Sequence, residues 1–160
     1  MELKIIFPGE VRVKKNSMNK HEVYRDKKTG EVRLYGGAKI LPVVYYEKSY
    51  VEWAKDAVQT AMVYKTKHPE ISFPLTGQYN LKCLFFSNEN KKVDLSALFE
   101  GVQDVLSGNA AGKSIKVPGN IYQILMDDSI RFVGSLDGSR YIYLPGEPPR
   151  TEITITEFKW

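Results

Sequence analysis

Three aspartates, Asp94, Asp127 and Asp128, are the side chains of this sequence best suited to hold a hard cation. Magnesium takes oxygen ligands, and a few carboxylates around it leave room for water and a phosphate oxygen. Adjacent ionised carboxylates repel, which raises one pKa, and a divalent ion relieves that repulsion at Asp127–Asp128. Asp94 stands where a loop enters a predicted helix, and the pair stands where a loop enters a predicted strand. Elements far apart in sequence could thus bring all three to one point. The same residues also have plainer roles, because an Asp before a helix is an ordinary N-cap and Asp-Asp is common in surface turns.

Other chemistries find less support. His21 and His68 have no metal-ligand spacing with each other or with Cys83. Cys83 is the single cysteine, which rules out an internal disulfide or a thiolate cluster and points to a reducing compartment. No serine or cysteine lies in a nucleophile motif. The stretch Gly108-Asn109-Ala110-Ala111-Gly112-Lys113-Ser114 imitates a phosphate-binding loop, but it has three residues between its glycines and follows a helix rather than a strand. It reads as a basic surface loop. Lys+Arg 23 against Asp+Glu 19 gives a net charge of +4, which suits a nucleic-acid partner without requiring one.

The elements that must position these side chains follow from periodicity. Residues 3–7 form a short apolar strand ended by Pro8-Gly9, and residues 11–15 continue extended and basic. Residues 22–25 and 31–35 flank a turn at 26–30 and read as a hairpin. Tyr46, Tyr50, Trp53, Ala54, Ala57 and Ala61 recur at helical steps, predicting a helix over about residues 45–64. Residues 78–87 read as a strand covered on both faces, with Leu81, Cys83 and Phe85 on one side and Leu84 and Phe86 on the other. A second helix spans about residues 95–106 through Leu95, Leu98, Phe99, Val102 and Leu106. Residues 107–119 read as loop, 129–134 and 140–144 as strands joined through Leu136-Asp137-Gly138, and 151–158 as a final strand. The order gives an α+β fold: one domain over residues 1–160, with a mixed β-sheet packed against two main helices. With 160 residues and 42% hydrophobic content the chain can bury a full core. It has no apolar run of about 20 residues and no signal-peptide pattern, so a soluble cytoplasmic protein with no membrane partner is expected.

Several motifs occur in a shared order. They are Lys14-Lys15-Asn16-Ser17, then Lys91-Lys92-Val93-Asp94-Leu95-Ser96-Ala97-Leu98, with Gly101, Asp104 and Leu106 following. Asp127-Asp128-Ser129-Ile130, Asp137-Gly138-Ser139-Arg140 and Pro149-Arg150-Thr151-Glu152-Ile153 complete the series. Together they resemble the RusA-like Holliday-junction resolvases, phage-type members in particular, across nearly the whole chain. The resemblance implies a homodimeric endodeoxyribonuclease that resolves four-way junctions by paired nicks. It implies Mg²⁺, with Mn²⁺ as a substitute, on Asp94, Asp127 and Asp128, and a prophage origin is hinted at by the C-terminal segments. Lys14, Lys15, Asn16, Lys91, Lys92, Arg140 and Arg150 are the expected DNA contacts, positioning the backbone rather than reading sequence.

The chain departs from the family pattern at the second helix. Ser96 stands where the family often has a second Asp, Ala97 where it has Asn, and Glu100 where it has Lys. Ser96 and Glu100 are about 40° apart around a helix, so Glu100 is a catalytic candidate that partly restores the lost carboxylate. The missing lysine removes a positive charge that would stabilise developing charge on phosphate. Two alternatives follow: a junction-binding protein of the same fold with a decayed site, or a protein-interaction module without nucleic acid.

Overall fold

The computed structural model describes residues 1–12, 48–110 and 115–158, with the backbone of 21–22 and 41–42. In chain order the elements are β1 (Glu2–Pro8), β2 (His21–Glu22), β3 (Leu41–Pro42), α1 (Lys48–Lys67), β4 (Tyr79–Ser87) and α2 (Leu95–Leu106). They continue with α3 (Gly119–Tyr122), β5 (Val133–Ser135), β6 (Arg140–Tyr143) and β7 (Arg150–Glu157). This is a mixed α/β fold around a five-stranded sheet of order β1-β7-β4-β5, with β6 also on β4. β7 runs antiparallel to both β1 and β4, while β5 and β6 run parallel to β4. β2 pairs antiparallel with β3. The turn predicted at 26–30 and the extended residues 13–15 lie outside the described residues.

Period-two alternation decides which face of the sheet is buried. Leu3, Ile5 and Phe7 of β1, Leu81, Cys83 and Phe85 of β4, and Ile153 and Ile155 of β7 all point into one core. α1 contributes Tyr50, Trp53, Ala54, Ala57, Val58 and Ala61, and α2 contributes Leu98, Phe99, Val102, Val105 and Leu106. Phe7 meets Trp53 edge-on at 6.3 Å, and Phe85 meets Phe99 at 5.3 Å. Small residues on α1 let the helix sit close to β1. Gly101 does the same for α2, since a Cβ there would come within 3.0 Å of a Val11 methyl.

The opposite face corrects the expectation that β4 is covered on both sides. Leu84 and Phe86 are half-buried, and Ile6 on β1 keeps 55% of its surface exposed. Both helices pack on the odd-numbered side, and the even-numbered side is instead finished by polar side chains. Arg150 lies 4.1 Å over the Phe86 ring and bonds Glu152 at 2.8 Å.

The two strands after Asp128 are likewise not a hairpin. β5 meets β4 at Tyr79 and Asn80, and β6 meets the same strand further along, from Leu84 to Ser87. They form one interrupted edge strand, and residues 129–132 are turn rather than strand. Side chains stitch the gap between them. Ser139 Oγ accepts from the Cys83 N–H at 2.9 Å and donates to the Leu81 carbonyl, while the Asn80 amide bonds both the N–H and the carbonyl of Asp137. The ladder groups of β4 stay satisfied where the strand leaves, as buried backbone requires.

The segment expected as loop after α2 has no helix or strand among its described residues before Gly119, yet parts of it are tied down. Ala110 and Ile115 are buried, and α3 adds one helical turn. The Leu106 carbonyl accepts from Ile124 and Leu125 at 2.8 and 2.9 Å, and Met126 donates to the Leu75 carbonyl. The chain leading into Asp127 is therefore pinned to the end of α2 and to the approach of β4. Gly108 and Gly119 touch backbone to backbone, and a Cβ on Gly119 would run into the Gly108 carbonyl oxygen. Gly119→Ala should cost about 1–3 kcal/mol by overpacking, read as a lower urea midpoint at unchanged slope; an unshifted midpoint would show that this contact can relax.

Candidate metal and nucleic-acid site

Asp94 is the N-cap of α2. Its Oδ1 accepts from the Ser96 N–H at 3.0 Å and from the Ser96 hydroxyl at 2.8 Å. Ser96, two positions further on, is thus a hydroxyl that donates to the Asp94 carboxylate. Next to this cap, at the C-terminal end of β4, lies a cavity of about 510 Å³. Val11, Arg12, Phe85, Lys92, Leu98 and Tyr141 are among its walls.

A polar cluster ties this end of the molecule together. The Glu10 carboxylate accepts from the buried Ser87 hydroxyl at 2.8 Å and from Lys91 at 2.9 Å, with Arg12 at 3.2 Å. Burial alone would raise the Glu10 pKa, but bonds from Lys91 and Ser87 and the Arg12 charge hold it below its ordinary value. Lys91 also bonds Glu89 at 2.8 Å, and these two carboxylates raise its pKa. The loop that carries Lys91, Lys92 and Asp94 is thereby fastened to the segment after β1.

Asp127 and Asp128 form a second acidic place. The Asp128 N–H donates to Asp127 Oδ1 at 2.7 Å, and the two carboxyl groups share a hydrogen bond. That bond and the backbone donor lower the Asp127 pKa. Asp128 moves the other way: partial burial of its carboxyl, although the residue as a whole is exposed, comes first, followed by the bond to Asp127 and the charges of Asp127 and Asp104. The pair therefore titrates as a unit and keeps one proton longer than an isolated carboxylate.

Chain topology attaches the two places to opposite ends of β4. Asp94 follows the C-terminal end of β4, whereas Asp127 and Asp128 precede β5, which pairs with the first residues of β4. α2 runs back between these ends, its last carbonyl meeting the segment docked on Leu75. Ten residues of helix separate Asp94 from Asp104 by about 15 Å, and Asp104 is the helix carboxylate whose charge reaches Asp128. Among the described residues no three His, Cys, Asp or Glu side chains stand together in a group able to hold a metal. Asp94, Asp127 and Asp128 are therefore not gathered into the single centre expected of them. A two-carboxylate site still fits magnesium, which keeps several waters and takes one or two protein carboxylates plus substrate phosphate.

The remaining expected residues are scattered. Glu100 is half-buried on α2, on the ridge that runs from Ser96 to Asp104. Lys92 is exposed beside the cavity, and Lys91 is held in ion pairs. Arg140 is exposed on β6, opposite Leu84, and Arg150 is engaged by Phe86, Glu152 and Glu147 on the helix-free face of the sheet. Lys14, Lys15 and Asn16 lie outside the described residues. No protein-family model matches the chain, and no curated protein matches it. The chemistry of the site accordingly rests on its own residues.

Sequence reasoning passed over Glu10, Arg12 and Ser87, whose association needs strands brought together from both halves of the chain. Asp104 was named there only as a motif residue, although its spacing of eight from Ser96 puts it on the Glu100 ridge. Arg131, exposed and three residues past Asp128, was also passed over. The raised pKa of Asp128 gives a stability prediction with a definite sign. Stability from its retained proton is present below the unfolded carboxylate range and is lost as pH rises through the folded value. Asp128→Asn should therefore raise the melting temperature at pH 7 and leave it unchanged near pH 3. The gain is small, about 0.5 kcal/mol or less for an exposed group, and a lower melting temperature at pH 7 would contradict it.

Proposed function

We propose that this chain is a magnesium-dependent, structure-selective DNA endonuclease of the RusA-like type, acting as a homodimer on four-way junctions. The observation that carries the reading is the Asp127–Asp128 pair, two carboxylates bonded to each other and facing the Asp104 charge. Such a pair costs free energy when ionised, and a divalent ion offsets that cost. Asp127 and Asp128 would hold Mg²⁺ or Mn²⁺. When bound, the ion supplies polarisation of a phosphate oxygen and activation of a water for in-line hydrolysis.

The chain's own residues do the rest. Asp128 must release its proton before the pair can bind a cation, so activity falls on the acid side as that proton returns. Arg131, Lys92 and Arg140 are exposed cations that can take DNA phosphates and position the duplex. Asp94 fixes the start of α2 and the loop bearing Lys91 and Lys92, so here it acts through position. Two-fold pairing of copies would give two equivalent sites for the paired nicks that a two-fold junction needs.

A second reading, a junction-binding protein that does not cut, is favoured by one observation: the Asp94 carboxylate caps α2 through Ser96, and among the described residues no group of three acidic, His or Cys side chains is placed to hold a metal. Purified protein mixed with a labelled synthetic junction separates the two. On the nuclease reading, Mg²⁺ gives symmetric nicks, Asp127→Asn and Asp128→Asn each lower the rate by about a hundredfold or more, and Asp94→Asn lowers it less. Binding that falls steeply with salt but gives no nick in Mg²⁺ or Mn²⁺ would replace it with the second reading. Absence of salt-dependent binding to branched DNA would overturn both in favour of a protein-interaction module.

A further inference from the structure

The cavity beside α2 is lined by Asp94 but by neither Asp127 nor Asp128, and its size needs an account. It is a cleft open to solvent, with the exposed Lys92 and Asp94 in its wall, and not an interior packing void. A space of about 510 Å³ falls in the range of small-ligand sites. Its walls divide by chemistry. Val11, Ala97, Leu98 and Phe85 give an apolar side, and Tyr141 adds an aromatic ring whose hydroxyl is held by the Glu89 carbonyl at 2.7 Å. Arg12, Lys91 and Lys92 bring three cations, against the two carboxylates of Glu10 and Asp94.

That charge is ordered internally. Glu10, kept ionised, pairs with both Lys91 and Arg12, and Glu89 supplies Lys91 with a second carboxylate, so both cations are held in place. Lys92 is exposed and has no ion pair among the described residues, so it is the cation offered to a ligand. A simple inorganic anion would not use the apolar wall, and an apolar peptide would not use the cations. A planar base joined to a phosphate uses both.

We infer that this cavity is a pocket for one unpaired nucleotide, its base against Tyr141 and Leu98 and its phosphate toward Lys92. The inference builds on the nucleic-acid reading above and gives it a substrate feature, a nucleotide out of the stack at the branch. Extruding a base costs a few kcal/mol in a paired duplex and less where pairing is already broken. The pocket thus selects branched over regular DNA without reading sequence in a groove.

The test uses the full chain and free deoxyadenosine 5′-monophosphate, so it is read without any cleavage, and a chain unable to nick DNA tests it equally well. Amide NMR shifts should move at Lys92, Asp94 and Ala97, with roughly millimolar affinity. Deoxyadenosine and deoxyribose 5-phosphate should each bind about tenfold more weakly, because each lacks half of the match. Lys92→Ala should weaken the nucleotide about tenfold but leave deoxyadenosine unchanged, and Ala97→Leu should fill the space and abolish both. Tyr141→Ala serves as the second cavity variant if Ala97→Leu does not fold, and should weaken the nucleoside. The inference is overturned if the nucleotide gives no shifts, if deoxyribose 5-phosphate binds as well as the nucleotide, or if binding is unchanged in the folded cavity variants.

Discussion

Burial of the odd-numbered side of β4 against α1 and α2 is the contact on which the rest of the structure depends. Leu81, Cys83 and Phe85 leave almost no surface to water, and β4 lies between β7 on one side and the broken β5–β6 edge on the other. Because successive side chains alternate, a shift of one residue would send this whole set to the open face. The register of β4 with β7, and through it with β1, is therefore held by the core. Once it is set, the start and end of β4 are fixed points, and each of the two acidic places hangs from one of them.

α2 converts that arrangement into a separation. It leaves the end of β4 at Asp94 and returns to the start of the strand at Leu106, whose carbonyl takes the N–H groups of Ile124 and Leu125. Asp94 is committed to the cap, a role typically worth about 1 kcal/mol. The Asp127–Asp128 pair arrives at the other end of the helix, where Asp104 rather than Asp94 shares its field. Repulsion there is left for a proton or a cation to relieve. At the Asp94 end the electrostatics are reversed, since Lys91 and Arg12 are paired with Glu10 and Glu89 while Lys92 is exposed.

The main elements were legible because their patterns are local. α2 begins and ends where its apolar stripe and Asp94 place it, and the long strand and the final strand fall within a residue of their period-two runs. The first helix is described over Lys48–Lys67 and runs three residues past its expected end, while residues 45–47 lie outside the described residues. Less legible was the fate of residues 129–144. Two strand-like runs around a Gly turn favour a hairpin locally, yet both pair with β4, because Ser139 and Asn80 supply bonds that keep one edge continuous across the break. Apolar residues on both faces of β4 suggested double cover, but Arg150 over Phe86 closes the second face with a cation instead of a helix.

By itself the sequence determined the alternating strands, the helix that starts at Asp94, the mixed α/β class and the identity of the acidic residues. Each of these depends on neighbours within a few positions, where periodicity and capping act. Only the tertiary structure decided which acids share a field and which cations are already paired. Asp94 is separated from Asp127 and Asp128 by the path of α2, and Glu10 meets Lys91 and Ser87 across about eighty residues of chain. Electrostatic coupling falls with distance in space and is blind to distance in sequence. The grouping of charges could therefore be known only once the sheet had set where β4 begins and ends.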